Sequence, residues 1–203
     1  MKTGLLGGTF DPIHYAHLLL AETARETLGL DRVVFIPAGI PPHKQTRPVT
    51  PGPLRAAMIR AAIAGYPEFE ISTFEIDSDE VSYTLNTLRH FHRTCPGDEL
   101  TLIVGTDTFN DIPNWYRPAE VCGMAEIAAA LRPGGHAPDY SGFSRLVSPD
   151  RLARMRGLLV SMPLLDISST EIRRRAAAGR SLRFMTPDSV IRLIGEHHLY
   201  TQS

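Results

Sequence analysis

The residues best equipped for chemistry stand near the start of the chain, in Gly7-Gly8-Thr9-Phe10-Asp11-Pro12-Ile13-His14-Tyr15-Ala16-His17. His14 and His17 are three apart, so on a helix they share one face of its first turn. Both could donate to an anion held over that helix N-terminus, and the glycines would let backbone approach a phosphate closely. A plainer arrangement, one histidine capping the helix and the other packing, uses the same spacing. Zinc is the weaker reading, because no third ligand stands nearby. Gly4, Gly7 and Gly8 lack the G-x-G-x-x-G spacing, and no G-x-x-x-x-G-K-S/T occurs anywhere. Neither a dinucleotide-dependent dehydrogenase nor a P-loop NTPase is therefore favoured.

A second anchor is Asp166-Ile167-Ser168-Ser169-Thr170-Glu171-Ile172-Arg173. Ser168 and Glu171 have the S-x-x-E spacing of a capping box, which opens a helix. A capped helix start with further hydroxyls and an arginine one turn on is also a seat for a triphosphate. Between 151 and 183, eight arginines face only Asp166 and Glu171, in a chain whose formal net charge is −1. That near-neutral total excludes a polyanion binder working through bulk charge and leaves room for a local phosphate pocket.

These residues need a frame. Thr3 to Gly7 reads as a buried strand, Tyr15 to Leu28 as a helix with Leu18, Leu19, Ala21 and Leu28 inward, and Arg32 to Ile36 as a second strand. Gly29 is a helix stop between them. Strand, glycine turn, helix and strand begin a βαβ unit and a parallel sheet. Six prolines between 37 and 53 mark a long loop containing Pro41-Pro42-His43-Lys44. Beyond it, 54–64 and 84–93 read as helices and 69–76 as extended chain; 100–104, 127–131 and 158–162 read as strands, and 170–178 and 187–197 as closing helices. The fold expected is α/β, a Rossmann-like doubly wound parallel sheet, one domain over 1–203 with a small C-terminal helical part. Its ligand belongs at the carboxyl ends of the strands. Gly105-Thr106-Asp107 follows one such strand, Ser82-Tyr83-Thr84 opens a helix, and Asn114-Trp115-Tyr116 holds the lone tryptophan in a loop-like context.

A length of 203 residues suits one domain, and 43% hydrophobic with 21% charged residues is ordinary globular composition, against disorder. Cys95 and Cys122 form no C-x-x-C, which suits reduced thiols in a cytoplasmic protein. No apolar run is long enough to span a membrane, and the first residues do not read as a signal peptide.

GGTFDPIHYAH resembles the signature of the nucleotidyltransferase superfamily with the H-x-G-H motif, and within it the bacterial nicotinate mononucleotide adenylyltransferases. Ala16 stands where that family has glycine, a small residue replaced by a better helix former. The I-S-S-T-x-I-R segment and the P-H-K, S-Y-T and N-W-Y elements strengthen the resemblance. It implies adenylyl transfer from ATP to nicotinate mononucleotide, giving deamido-NAD and pyrophosphate. It implies an ATP site from Gly7, Gly8, Thr9, Phe10, His14, His17, Ile167, Ser168, Ser169 and Arg173, with the two histidines, Lys44 and Arg173 at the reaction centre. For the mononucleotide it implies backbone amides at Thr84 and Tyr116 on the pyridine carboxylate, Trp115 stacked on the ring, Asp107 at the ribose and Lys44 from the loop. Mg²⁺ bound mainly through ATP phosphates is implied, with no protein metal ligand identified. The remaining alternatives are an adenylyltransferase for nicotinamide mononucleotide and a non-catalytic nucleotide sensor on the same fold. Nothing points to nucleic acid or membrane as partner, and oligomeric state is not legible.

Overall fold

The computed structural model describes residues 1–40, 49–131 and 134–201. Six strands, β1 (Lys2–Gly8), β2 (Arg32–Pro37), β3 (Phe69–Ile71), β4 (Glu99–Gly105), β5 (Glu126–Leu131) and β6 (Leu159–Ser161), form one sheet in the order β3-β2-β1-β4-β5-β6. Every pairing is parallel. Parallel neighbours need crossovers, and helices supply them: α1 (Tyr15–Leu28), α2 (Gly52–Ile63), α3 (Thr84–Thr94), α4 (Thr106–Asp111), α5 (Pro118–Met124) and α6 (Pro149–Gly157). Two more, α7 (Ser169–Ala177) and α8 (Asp188–Glu196), close the chain.

Successive side chains of a strand point to opposite faces, so a strand covered on both sides is apolar throughout. Val33 and Phe35 of β2 enter one core with α1, α2, α7 and α8. Val34 and Ile36 enter the other, with α3, α4, α5 and α6. The C-terminal helices are thus part of the main layer, and Ser189 at the start of α8 donates to the Ala61 carbonyl of α2 at 2.8 Å. On α1 the fully buried residues are Ala21 and Ala24, with Leu18 and Leu28 packed around that core. Leu19, expected inward, instead lines an apolar groove beside Tyr15 and Glu22. The helix ends at Gly29, whose φ of 60° is the left-handed cap that glycine adopts freely.

The span 69–76 pairs only over Phe69–Ile71, then folds into a turn in which the Asp77 N–H donates to the Thr73 carbonyl. Three helices, α4, α5 and α6, were not foreseen in the sequence. They run to six, seven and nine residues, too short for a clear apolar period, yet α5 and α6 begin at Pro118 and Pro149. Proline at the first helical position, with the Ser148 hydroxyl capping α6, is a readable start signal. The strand order reverses between β1 and β4, and at that switch point both carboxyl ends run through glycine, at Gly8 and Gly105, into helices.

Candidate active site

Between β1 and α1 the chain makes a tight turn. Phe10 takes a left-handed backbone, φ 49°, which is rare for a bulky residue and is tolerated where surrounding structure fixes it. Its buried ring packs edge-on against Phe35 and His17, at centroid distances of 5.7 and 4.9 Å. His14 caps α1 in an extended conformation, and its backbone N–H donates to His17 Nδ1 at 3.3 Å. The two imidazoles stack 3.7 Å apart. Capping and juxtaposition therefore coexist here. With Nδ1 accepting, the neutral His17 ring carries its proton on Nε2, and that edge is a donor. His14 is buried and His17 half-buried.

The serine-arginine segment is laced to this turn. Ser169 Oγ donates to the Pro12 carbonyl at 2.9 Å. Arg173 Nη1 donates to the Asp11 carbonyl at 2.7 Å, and its Nη2 to Thr170 Oγ1 at 3.1 Å. Ser168 caps α7 by accepting from the Glu171 N–H. The reciprocal half of the expected capping box differs: the Glu171 carboxylate forks onto Arg174 through two 2.8 Å bonds. A nearby arginine offers two charge-assisted bonds where the box would give one neutral N–H. Ile167 packs its side chain on the first core.

Three further residues of this region escaped the sequence reading. Arg55, buried on α2, donates to the carbonyls of Thr50, Thr9 and Ala38, each at 2.8 Å. One guanidinium thus joins the turn after β1 to the end of β2, and burial pulls its pKa down. Asp11, also buried, accepts from the Tyr200 hydroxyl at 2.7 Å. Arg55 did carry a signal, since it falls on the stripe formed by Met58, Ile59 and Ala62. Asp11 and Tyr200 are 189 positions apart, and no local pattern links them.

A cleft of about 640 Å³ opens on the same edge of the sheet, lined by Tyr83, Thr84, Asp111, Asn114, Trp115 and Tyr116 among others. Thr84 is the first residue of α3, whose N-terminus presents backbone donors. Tyr83 and Tyr116 rings lie 4.8 Å apart, joining that helix start to the segment after β4. Trp115 follows a 3-10 turn, Ile112–Asn114, and rests partly against the second core. Asp107 stands exposed in the first turn of α4, at the carboxyl end of β4. The structure therefore gathers Thr84, Trp115 and Tyr116 at one cleft, and His14, His17, Ser169 and Arg173 around the turn after Gly7, Gly8 and Thr9. Lys44 lies outside the described residues. Among the described residues, no group of three or more His, Cys, Asp or Glu side chains could hold a metal ion.

An all-parallel sheet whose switch point carries a histidine pair, braced by a serine-capped arginine helix, is the frame of a nucleotidyltransferase. The chain belongs to the cytidylyltransferase-like family, whose model matches residues 5–175. It is 41% identical over 199 residues to a protein of Thermomicrobium roseum described as a probable nicotinate-nucleotide adenylyltransferase, covering 98% of this chain and 91% of that one. A protein of a Roseiflexus species with the same description is 44% identical, over 97% of this chain and 96% of its own. The solved structure of Plasmodium falciparum nicotinic acid mononucleotide adenylyltransferase complexed with NaAD has a TM-score of 0.70 at 16% identity, covering 98% of both chains. At that identity the likeness concerns the fold.

Proposed function

We propose that this chain, as one nucleotidyltransferase domain over 1–203, transfers the adenylyl group of ATP to nicotinate mononucleotide, giving deamido-NAD and pyrophosphate for NAD biosynthesis. The observation that carries this reading is the lacing of Ser169 and Arg173 onto the His14–His17 turn, in a chain that also holds a cleft lined by Thr84, Trp115 and Tyr116. A phosphate oxygen of the mononucleotide attacks the α-phosphorus in line. A new P–O bond forms there as the bond to the β-phosphate bridging oxygen breaks. The attacking phosphate has a second pKa of about 6, so near pH 7 no general base is required. Catalysis then reduces to alignment and charge neutralisation.

His17 Nε2–H and His14 serve the ATP phosphates, over the backbone of Gly7, Gly8, Thr9 and Phe10. Ser168, Ser169 and Arg173 hold the departing pyrophosphate, with Ile167 beside them and Lys44 assisting. The backbone amides of Thr84 and Tyr116 take the pyridine carboxylate, Trp115 the ring and Asp107 the ribose. A divalent ion, in our reading Mg²⁺, supplies further charge neutralisation when bound. In this reading the ion would be carried mainly on phosphate oxygens and water, which asks for few protein ligands. Cys95 and Cys122 are free thiols, which suits a reducing cytoplasm.

Pyrophosphate release, measured with ATP and a panel of mononucleotides, tests the reading. Turnover with nicotinate mononucleotide supports it. Turnover confined to the nicotinamide form would move the chain to that alternative, and none at all would favour a sensor.

A further inference from the structure

Away from the histidine turn, one carboxylate is tied to the start of a helix. Glu75 lies in the chain between β3 and α3 and is partly buried. The Thr87 hydroxyl, in the first turn of α3, donates to Glu75 Oε1 at 2.6 Å. Burial pushes the Glu75 pKa up, opposed in part by the Thr87 hydroxyl and by the polar groups of Gly39 and Ser82, which favour the charged form. Ser82 Oγ, beside it, is buried and makes no hydrogen bond among the described residues.

The backbone repeats the same connection. The Ser82 N–H donates to the Ile40 carbonyl at 2.8 Å, and Ile40 and Val81 form a parallel bridge. A Cβ on Gly39 would come within 2.0 Å of the Glu75 carbonyl oxygen, so only glycine fits at this crossing. A carboxylate kept where burial opposes its charge needs its acceptors used. Carboxylate is also the one side chain here with acceptor capacity on both arms, whereas glutamine would turn an NH₂ toward donors.

We propose that Glu75 is a positioning residue for the mononucleotide: through Thr87 it holds the first turn of α3, and with it the Thr84 amide, beside the crossing of Gly39, which follows β2, over the Glu75 backbone. This rests on the reading in which the Thr84 amide meets the pyridine carboxylate. Glu75 itself touches no substrate, so its loss acts on binding of one substrate and not on the chemical step.

The test is Glu75→Gln, assayed by pyrophosphate release with each substrate varied. The KM for nicotinate mononucleotide should rise about tenfold, with kcat and the KM for ATP within twofold of wild type. Thr87→Val, nearly isosteric, should raise the same KM about threefold, and Thr87→Ser should restore it. These two variants keep the test available if Glu75→Gln does not fold. An unchanged mononucleotide KM in folded variants overturns the proposal, and so does a parallel loss in kcat and both KM values. Failure of the reaction reading looks different: the wild type then releases no pyrophosphate. In that event quenching of Trp115 fluorescence by nicotinate mononucleotide still compares wild type with variant. A dissociation constant that does not shift, or no quenching in wild type, overturns the proposal as well.

Discussion

At the scale of single residues, the bond from the His14 N–H to His17 Nδ1 does two things. It satisfies one backbone donor at a helix start, and it leaves Nε2 as the protonated edge of a neutral ring. A fixed donor aimed at developing charge on the α-phosphate is worth about 3 kcal/mol, or roughly 10²-fold in rate. His17→Ala should therefore lower kcat about 10²-fold, with near-wild-type circular dichroism. A folded variant within threefold of wild type would remove His17 from the reaction centre. Arg173 has a double attachment, since Nη1 holds the Asp11 carbonyl and Nη2 the Thr170 hydroxyl. Arg173→Ala should raise the KM for ATP and also lower kcat, because the turn carrying the histidines loses a brace. Lysine should recover part of the ATP affinity and less of kcat, since one ammonium cannot replace the planar fork. An equal loss of affinity for both substrates would count against a specific triphosphate seat.

The elements explain what could be read in advance and what could not. β1, α1, β2 and β4 appear in the sequence within about two residues because each has a full period, a glycine stop or a β-branched run. The histidine turn and the serine-arginine helix were legible for the same reason, as short patterns at element ends. What stayed hidden depends on contacts between distant segments: Arg55 bridging three carbonyls, Tyr200 reaching Asp11, and the Thr87 hydroxyl of α3 reaching Glu75. The cleft belongs to this scale, because the start of α3 and the segment after α4 build it jointly. A carboxylate is acceptor-only and suits backbone N–H groups, whereas an amide would set its NH₂ against one of them. That mismatch costs about 1–3 kcal/mol, more when the lost acceptor was charged. Nicotinate mononucleotide should therefore exceed the nicotinamide form by about 10²-fold in kcat/KM. Trp115→Ala should weaken both and leave the ratio nearly unchanged, since both rings offer it the same face. A wild-type preference below threefold would sink the carboxylate pocket, and a ratio that collapses in the variant would put the discrimination on the tryptophan.

For the whole molecule, the C-terminal segment is fastened to the histidine turn near the start of the chain. The Tyr15 N–H donates to the Met185 carbonyl, Thr186 Oγ1 to the Ile13 carbonyl and the Tyr200 hydroxyl to Asp11. The C-terminal segment thus stabilises the turn that carries the histidines, and local fraying there should be felt in catalysis. Tyr200 makes this measurable through pH. Burial, with the Asp11 charge beside it, raises the phenol pKa above the ordinary value of about 10. The folded state therefore keeps its proton where the unfolded chain loses it. The contribution is complete below pH 10 and fades as pH climbs from there toward the raised folded value. Tyr200→Phe removes a hydrogen bond to a buried carboxylate and should lower stability by about 2 kcal/mol at pH 8. The variant also lacks the phenol that ionises on unfolding, so at pH 11 the gap to wild type should narrow by about 1 kcal/mol. Urea unfolding of both proteins at the two pH values measures this directly. A gap that is constant, or that widens, would mean that the Tyr200 hydroxyl is not held protonated against Asp11.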